Sequence, residues 1–286
     1  MAVYKRSYRG YTGALTPRWS RFLILKRYAS RGIFKSRIVT ALFVICFFYP
    51  IVMVAGLYLN HNAHVLSLMK LGRNHLFDID GDFFMLFMGV QSSLAFVLTA
   101  FIGPGTIAPD LTNNALPLYF CRPLSRSEYV LGRGCSIVSI LSWITWVPGL
   151  VLFITESTLS GFGWAWQHWR YAAGILVGSV MWIVFLALLA LALSAWVRWR
   201  IIAGGLLLFV MGFSSGFGAA VNGIVRTNIG DYVNPAALVT RLYAGFFDVH
   251  TAIDVPTGGA LLALSVMCAF CIFMLSRKVK AFEVVR

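Results

Sequence analysis

ALPLYFCRPLSRSEYVLGR, residues 115–133, is a polar island between two long apolar runs, with three arginines, one glutamate and two prolines. Pro123 disfavours helix at Arg122 and has no backbone N–H to donate, so a break falls there. Just beyond it, Ser125 stands three positions before Glu128 at the head of an apolar run, the spacing of a capping box. The island predicts a helix that stops, a tight turn, and a capped helix that continues into the next run. On its N-terminal side, Ile107–Phe120 reads as a short helix at a membrane surface, with Asp110, Asn113 and Asn114 as its polar groups.

The runs on either side of the island belong to a set of six, at 38–59, 83–103, 131–154, 172–197, 201–220 and 258–276. Each is long enough, at 1.5 Å per residue, to cross a hydrocarbon core of ~30 Å. Their cores hold no Lys, Arg, Asp or Glu, each of which would cost about 2.5–3.5 kcal/mol at mid-membrane. Composition agrees: 59% of the 286 residues are hydrophobic and 12% charged, with a mean hydropathy of +0.79, where soluble domains carry about a quarter charged residues. The expected fold is all-α, a polytopic membrane protein of six transmembrane helices.

Charge placement orients it. Of 24 Lys and Arg, nineteen fall in 1–37, 104–133, 198–200 and 277–286, where Asp110, Glu128 and Glu283 are the only acids. The alternate loops hold the other five (Lys70, Arg73, Arg170, Arg226, Arg241) and seven acids. The positive-inside rule then places both termini in the cytoplasm. The net charge of +14 is a topology signal, and a nucleic-acid partner is not expected, because a span follows the basic arm at once. Trp164, Trp166 and Trp169 at one boundary, and Trp196 and Trp199 at the other, suit interfacial indoles.

The segment 1–37 carries ten basic residues and no acid, interleaved with Trp19, Phe22, Leu23, Leu25, Tyr28 and Phe34 behind a Thr16-Pro17 start. It reads as an amphipathic helix in the headgroup region, held by anionic lipid. The first apolar run begins too late for a cleavable signal peptide. The domain from 38 to 276 then comprises the spans, an inner loop at 104–130 and an outer loop at 221–256, with a cytoplasmic tail at 277–286. Arg198-Trp199-Arg200 is a tight inner turn. In the outer loop, Asn234-Pro235 caps an amphipathic helix, Ala236–Phe247, expected on or dipping into the outer leaflet.

Several motifs are weighed against plainer readings. Gly174/Gly178 and Gly212/Gly216 are GxxxG pairs that suit helix packing or a subunit interface, and the sequence does not choose. Gln91, Ser92 and Ser93 are the most polar cluster in a span; interhelical hydrogen bonding is favoured over a contact on a substrate path. Cys268 and Cys271 form a CxxC inside an apolar run, unsuited to thiolates. All five histidines (His61, His64, His75, His168, His250) lie in outer segments, near Asp78, Asp80 and Asp82. Their spacing lacks the further ligands of an EF-hand-like loop, so no metal site is assigned. There is no P-loop or HExxH, and the chain is read as carrying no enzyme activity of its own.

From Asp110 through Ala115-Leu116-Pro117-Leu118-Tyr119-Phe120 and Arg122-Pro123-Leu124-Ser125-Arg126 to Glu128-Tyr129-Val130-Leu131-Gly132-Arg133, the chain resembles the second-to-third span loop of ABC-2 type transporter permeases. That loop commonly runs from an acidic residue through a leucine-rich stretch to RPLSR or RPISR, a tyrosine and GK. Arg133 stands here for the usual lysine, and Cys121 for a small residue, often serine. The layout, and the exit Arg277–Val284, are similar too. The resemblance implies that the N-terminal helix is an elbow and the loop a coupling helix, with Asp110, Arg122, Pro123, Ser125, Arg126 and Glu128 as ATPase-coupling residues. It implies a permease subunit of an exporter in the bacterial inner membrane, paired with a second permease as homo- or heterodimer. A separate ABC ATPase subunit would bind ATP and Mg, leaving this chain without a cofactor. The family's substrates range over lipids, polysaccharides, drugs and peptides. The alternative is a membrane scaffold that transmits force from an ATPase to an extracytoplasmic partner without transport. A stand-alone channel or carrier is disfavoured by the charge-free spans.

Overall fold

A computed structural model describes residues 20–62, 78–113, 115–120, 125–197 and 199–278. The described residues are helical, with no strand among them. The elements are α1 (Arg21–Ile33), α2 (Arg37–His61), α3 (Gly81–Ile102), α4 (Ala108–Thr112), α5 (Leu116–Phe120), α6 (Arg126–Ile144), α7 (Trp146–Ser160), α8 (Phe162–Gln167), α9 (Trp169–Trp196), α10 (Arg200–Val225), α11 (Pro235–Phe247) and α12 (Thr257–Lys278). Short 3-10 turns lie at Gly103–Gly105 and Ile229–Val233. Among the described residues six helical stretches are long and apolar enough to cross a membrane, with α3 and α4 forming one stretch and α6 and α7 another. They coincide with the six apolar runs, each helix extending a few residues past its run.

The third stretch is broken. Pro148 lacks an N–H, and its ring crowds the carbonyl four residues back, that of Ile144, where α6 ends. Thr145 takes up the break with φ −114° and ψ −90°, and its hydroxyl donates to Leu141 O at 2.8 Å. Gly149 then permits close packing, because a Cβ there would stand 2.8 Å from Ile175 Cγ2. The sequence reading had the third span continuous. The Ile107–Phe120 segment, read as one helix, is likewise two short ones, α4 and α5.

α9 is the central helix: 67% of its apolar window is buried, against 17% for α2 and 22% for α10. Its small residues explain this. At Gly178 a Cβ would stand 2.3 Å from the Tyr243 ring, and at Gly174 2.5 Å from Phe246 Cβ, so α11 lies directly on α9. Asn234 caps α11 as the sequence predicts, accepting from Ala236 N–H (3.1 Å) and Ala237 N–H (3.4 Å). The helix is set into the bundle among α3, α9 and α12, burying Leu238, Leu242, Tyr243 and Phe247. An aromatic cluster of Phe84, Phe153, Trp164, Tyr171 and Phe247 closes this end.

At the opposite end α1 lies along the first turns of α6, so close that a Cβ on Gly132 would meet Leu25 Cδ2 at 2.9 Å. Ala29 is buried, while Leu23, Ile24, Arg27, Tyr28 and Arg31 are exposed. The Thr16-Pro17 start lies outside the described residues.

Candidate functional site

The inter-span segment between α3 and α6 is tied down at both of its described ends. At the start of α4, Ser194 reaches across from α9, and its Oγ accepts from Ile107 N–H (3.0 Å) and Ala108 N–H (2.9 Å). Those are backbone donors that a helix start leaves without partners. One turn on, the Asp110 carboxylate accepts from the Tyr129 hydroxyl (2.6 Å) and pairs with the Arg133 guanidinium. Tyr129 is fully buried, the guanidinium lies 5.7 Å from the centre of its ring, and the Tyr119 ring of α5 packs against it at 5.4 Å. The Asp110 and Arg133 side chains are only 15% and 14% exposed. Charge-assisted bonds of this kind are stronger than neutral ones. Breaking a buried pair by removing one partner costs about 3–5 kcal/mol.

The capping box forms as its spacing predicts. Ser125 Oγ accepts from Glu128 N–H at 3.2 Å, and Glu128 Oε2 accepts from Ser125 N–H at 2.6 Å and from its hydroxyl at 2.8 Å. Arg126 is exposed. Arg122 and Pro123 lie outside the described residues. Of the residues for which the resemblance implies a coupling role, Asp110 therefore turns inward as an anchor, Ser125 and Glu128 start α6, and Arg126 is presented to the surface.

The two glycine pairs separate. Gly174 and Gly178 serve contacts inside the chain, whereas among the described residues nothing lies within 4 Å of a Cβ placed on Gly212 or Gly216. The same helix exposes a ladder of Phe209, Phe213 and Phe217, stacked at 5.6 and 5.8 Å.

Gln91 and Ser92 separate as well. Ser92 and Ser93 line a cavity of about 330 Å³ with Trp182, Met211, Gly212 and Tyr243. An open groove of about 730 Å³ continues past Ser93 and Thr240 to Asp82. The Tyr243 hydroxyl lies 3.3 Å from both Ser92 Oγ and Ser179 Oγ, while Trp182 Nε1–H donates to Ser92 O at 3.0 Å. Gln91 lines neither space. It lies one turn from Phe87, whose ring stacks on Tyr49 of α2 at 5.5 Å. Gln91 is fully buried, and its amide oxygen and nitrogen, like the Tyr49 hydroxyl, have no partner among the described residues.

At the other end Asp80 is the N-cap of α3, accepting from Phe83 N–H at 3.1 Å. Glu156, assigned to an outer loop from the sequence, lies inside α7 and is 2% exposed. It accepts from Ser160 and sits 3.5 Å from His61 Nε2. Among the described residues no three His, Cys, Asp or Glu side chains gather as metal ligands would; His64 and His75 lie outside them. Cys268 and Cys271 are buried free thiols. Sequence reasoning missed Ser194, for which a lone serine in an apolar run gives no signal, the break at Pro148, which was visible as a proline in one run, and the burial of Glu156, visible as an acid just past the same run. No protein-family model matches this chain, and no curated protein matches it.

Proposed function

We propose that the chain is the transmembrane permease subunit of an ABC exporter of the ABC-2 kind, driven by ATP hydrolysis on a separate subunit. The observation that carries this reading is the Asp110 anchor. By holding Tyr129 and Arg133, Asp110 joins the short inter-span helices to the first turns of α6. The capping box stiffens the same entry, so a displacement of the loop is passed to α6 rather than absorbed in a slack connection. That is what a separate ATPase needs from its docking point, and Arg126, the last residue of the RPLSR motif at 122–126, supplies exposed basic charge beside it.

The cavity and groove that share Gly89, Ser93, Thr240 and Tyr243 supply one wall of the path in this reading. Their lining of apolar groups and hydroxyls, with Asp82 at one end, suits an amphipathic cargo. The open Gly212/Gly216 face of α10, with its phenylalanine ladder, is the surface offered to the second permease subunit.

The reading is tested by affinity purification of the tagged chain from its native membrane. A P-loop ATPase should copurify, and replacing both Arg122 and Arg126 with Glu should strip it off. Retention of the ATPase undiminished by the double substitution would sink the docking assignment. Copurification without cargo-stimulated ATP hydrolysis in proteoliposomes would instead favour a force-transmitting scaffold.

A further inference from the structure

A second cavity, of about 280 Å³, lies at the end of the molecule that carries α1. Its floor is one side of α1, with Leu25, Ala29, Gly32 and Ile33; the end of α3 and the Gly103–Gly105 turn form a wall. Arg133 and Arg200 line it together with Tyr119, and among the described residues no acidic one lines it. Arg133 pairs with Asp110 through its terminal nitrogen, but its Nε is buried with no partner among the described residues. Arg200 lies against Gly105, where a Cβ would stand 3.5 Å from its Nε, so the missing side chain leaves the guanidinium its place. Its bond to Phe101 O is a long one, 3.5 Å.

We propose that this cavity is a binding site for an anionic phosphate group, presented by a lipid headgroup or by a soluble phosphate ester. The chemistry follows from the lining. Guanidinium donors form planar forks that match phosphate oxygens, and here two of them approach one small space from different elements. The apolar floor, and the exposed Leu23, Ile24 and Tyr28 beside it, suit the glycerol and upper acyl region of a lipid. The site stands on the geometry of this cavity and does not depend on coupling to an ATPase.

The test uses the purified full chain in detergent. Retention of phosphatidylglycerol and of diacylglycerol, which lacks the phosphate, is read by native mass spectrometry, with inorganic phosphate as competitor. Wild type should retain phosphatidylglycerol about tenfold better, the effect of one charge-assisted bond. Arg200→Gln should remove that preference. So should Gly32→Leu, which puts bulk where nothing among the described residues lies within 4 Å of the Cβ and favours the helix; Arg226→Gln, at the far end of α10, should keep it. Displacement of the lipid by millimolar-range inorganic phosphate (a concentration on the order of weak-ligand affinities) would identify a soluble phosphate ester as the natural source. No displacement would identify the headgroup. A wild type without preference and without response to phosphate overturns the proposal, as does full preference in both cavity variants.

Discussion

Replacing Gly178 with alanine forces α9 and α11 apart. The new Cβ would stand 2.3, 2.7 and 3.0 Å from Cε1, Cδ1 and Cζ of Tyr243. That ring has nowhere to go: it is 1% exposed, its hydroxyl is shared between Ser92 and Ser179, and it stacks on Phe247 at 5.8 Å. Overpacking of this kind costs about 1–3 kcal/mol, and each hydrogen bond broken by sliding the ring adds about 0.5–1.5 kcal/mol. The gain in helix propensity offsets up to ~1 kcal/mol. With both bonds lost, a net destabilisation of about 1–5 kcal/mol follows. At Gly212 the same substitution meets nothing within 4 Å, so only the propensity gain remains. Reversible unfolding of the detergent-solubilised protein, followed by circular dichroism, measures both. Equal stability of Gly178→Ala and wild type, or an equal loss at Gly212→Ala in the monomer, would refute the packing argument.

Asp110→Ala should lower stability by about 3–5 kcal/mol by stranding the Arg133 charge, while the double variant Asp110→Ala/Arg133→Met should recover most of that loss; a double-mutant cycle in the same unfolding assay checks it, and additive losses would remove the anchor. Gln91→Leu replaces a buried amide without partners and should stabilise by about 1–3 kcal/mol; a loss of stability would mean that the amide is satisfied in the membrane, by water or by a residue outside those described.

The parts of this fold legible in the sequence are those governed by local rules. Six runs of membrane length became helices because each satisfies its own backbone polar groups. Ser125–Glu128 and Asn234–Pro235 became caps because the partners are within three residues. The rest depends on neighbours distant in sequence. Ser194 caps α4 from 86 and 87 positions away, which no spacing announces. Gly174/Gly178 and Gly212/Gly216 are the same motif, yet one pair is filled by α11 and the other is open. Asp110 carries a charge that reads as a surface contact until Tyr129 and Arg133 are seen to enclose it. α11 looks interfacial by its amphipathic pattern; its burial follows from the space that the glycines of α9 leave for it.

The discontinuity at Thr145 gives the third span a joint near mid-depth. A single continuous rod gripped at its inner end would carry any axial displacement unchanged to the far side. Here the hydrogen-bond ladder is interrupted between Ile144 and Trp146, while Gly149 holds α7 against Ile175 and Met88. α7 is thus clamped near the joint, and α6 is held at its far end by Asp110. Under the proposed function, a displacement imposed through Asp110 would turn α6 about residue 145, with its largest amplitude at the end that carries α1 and none at the joint.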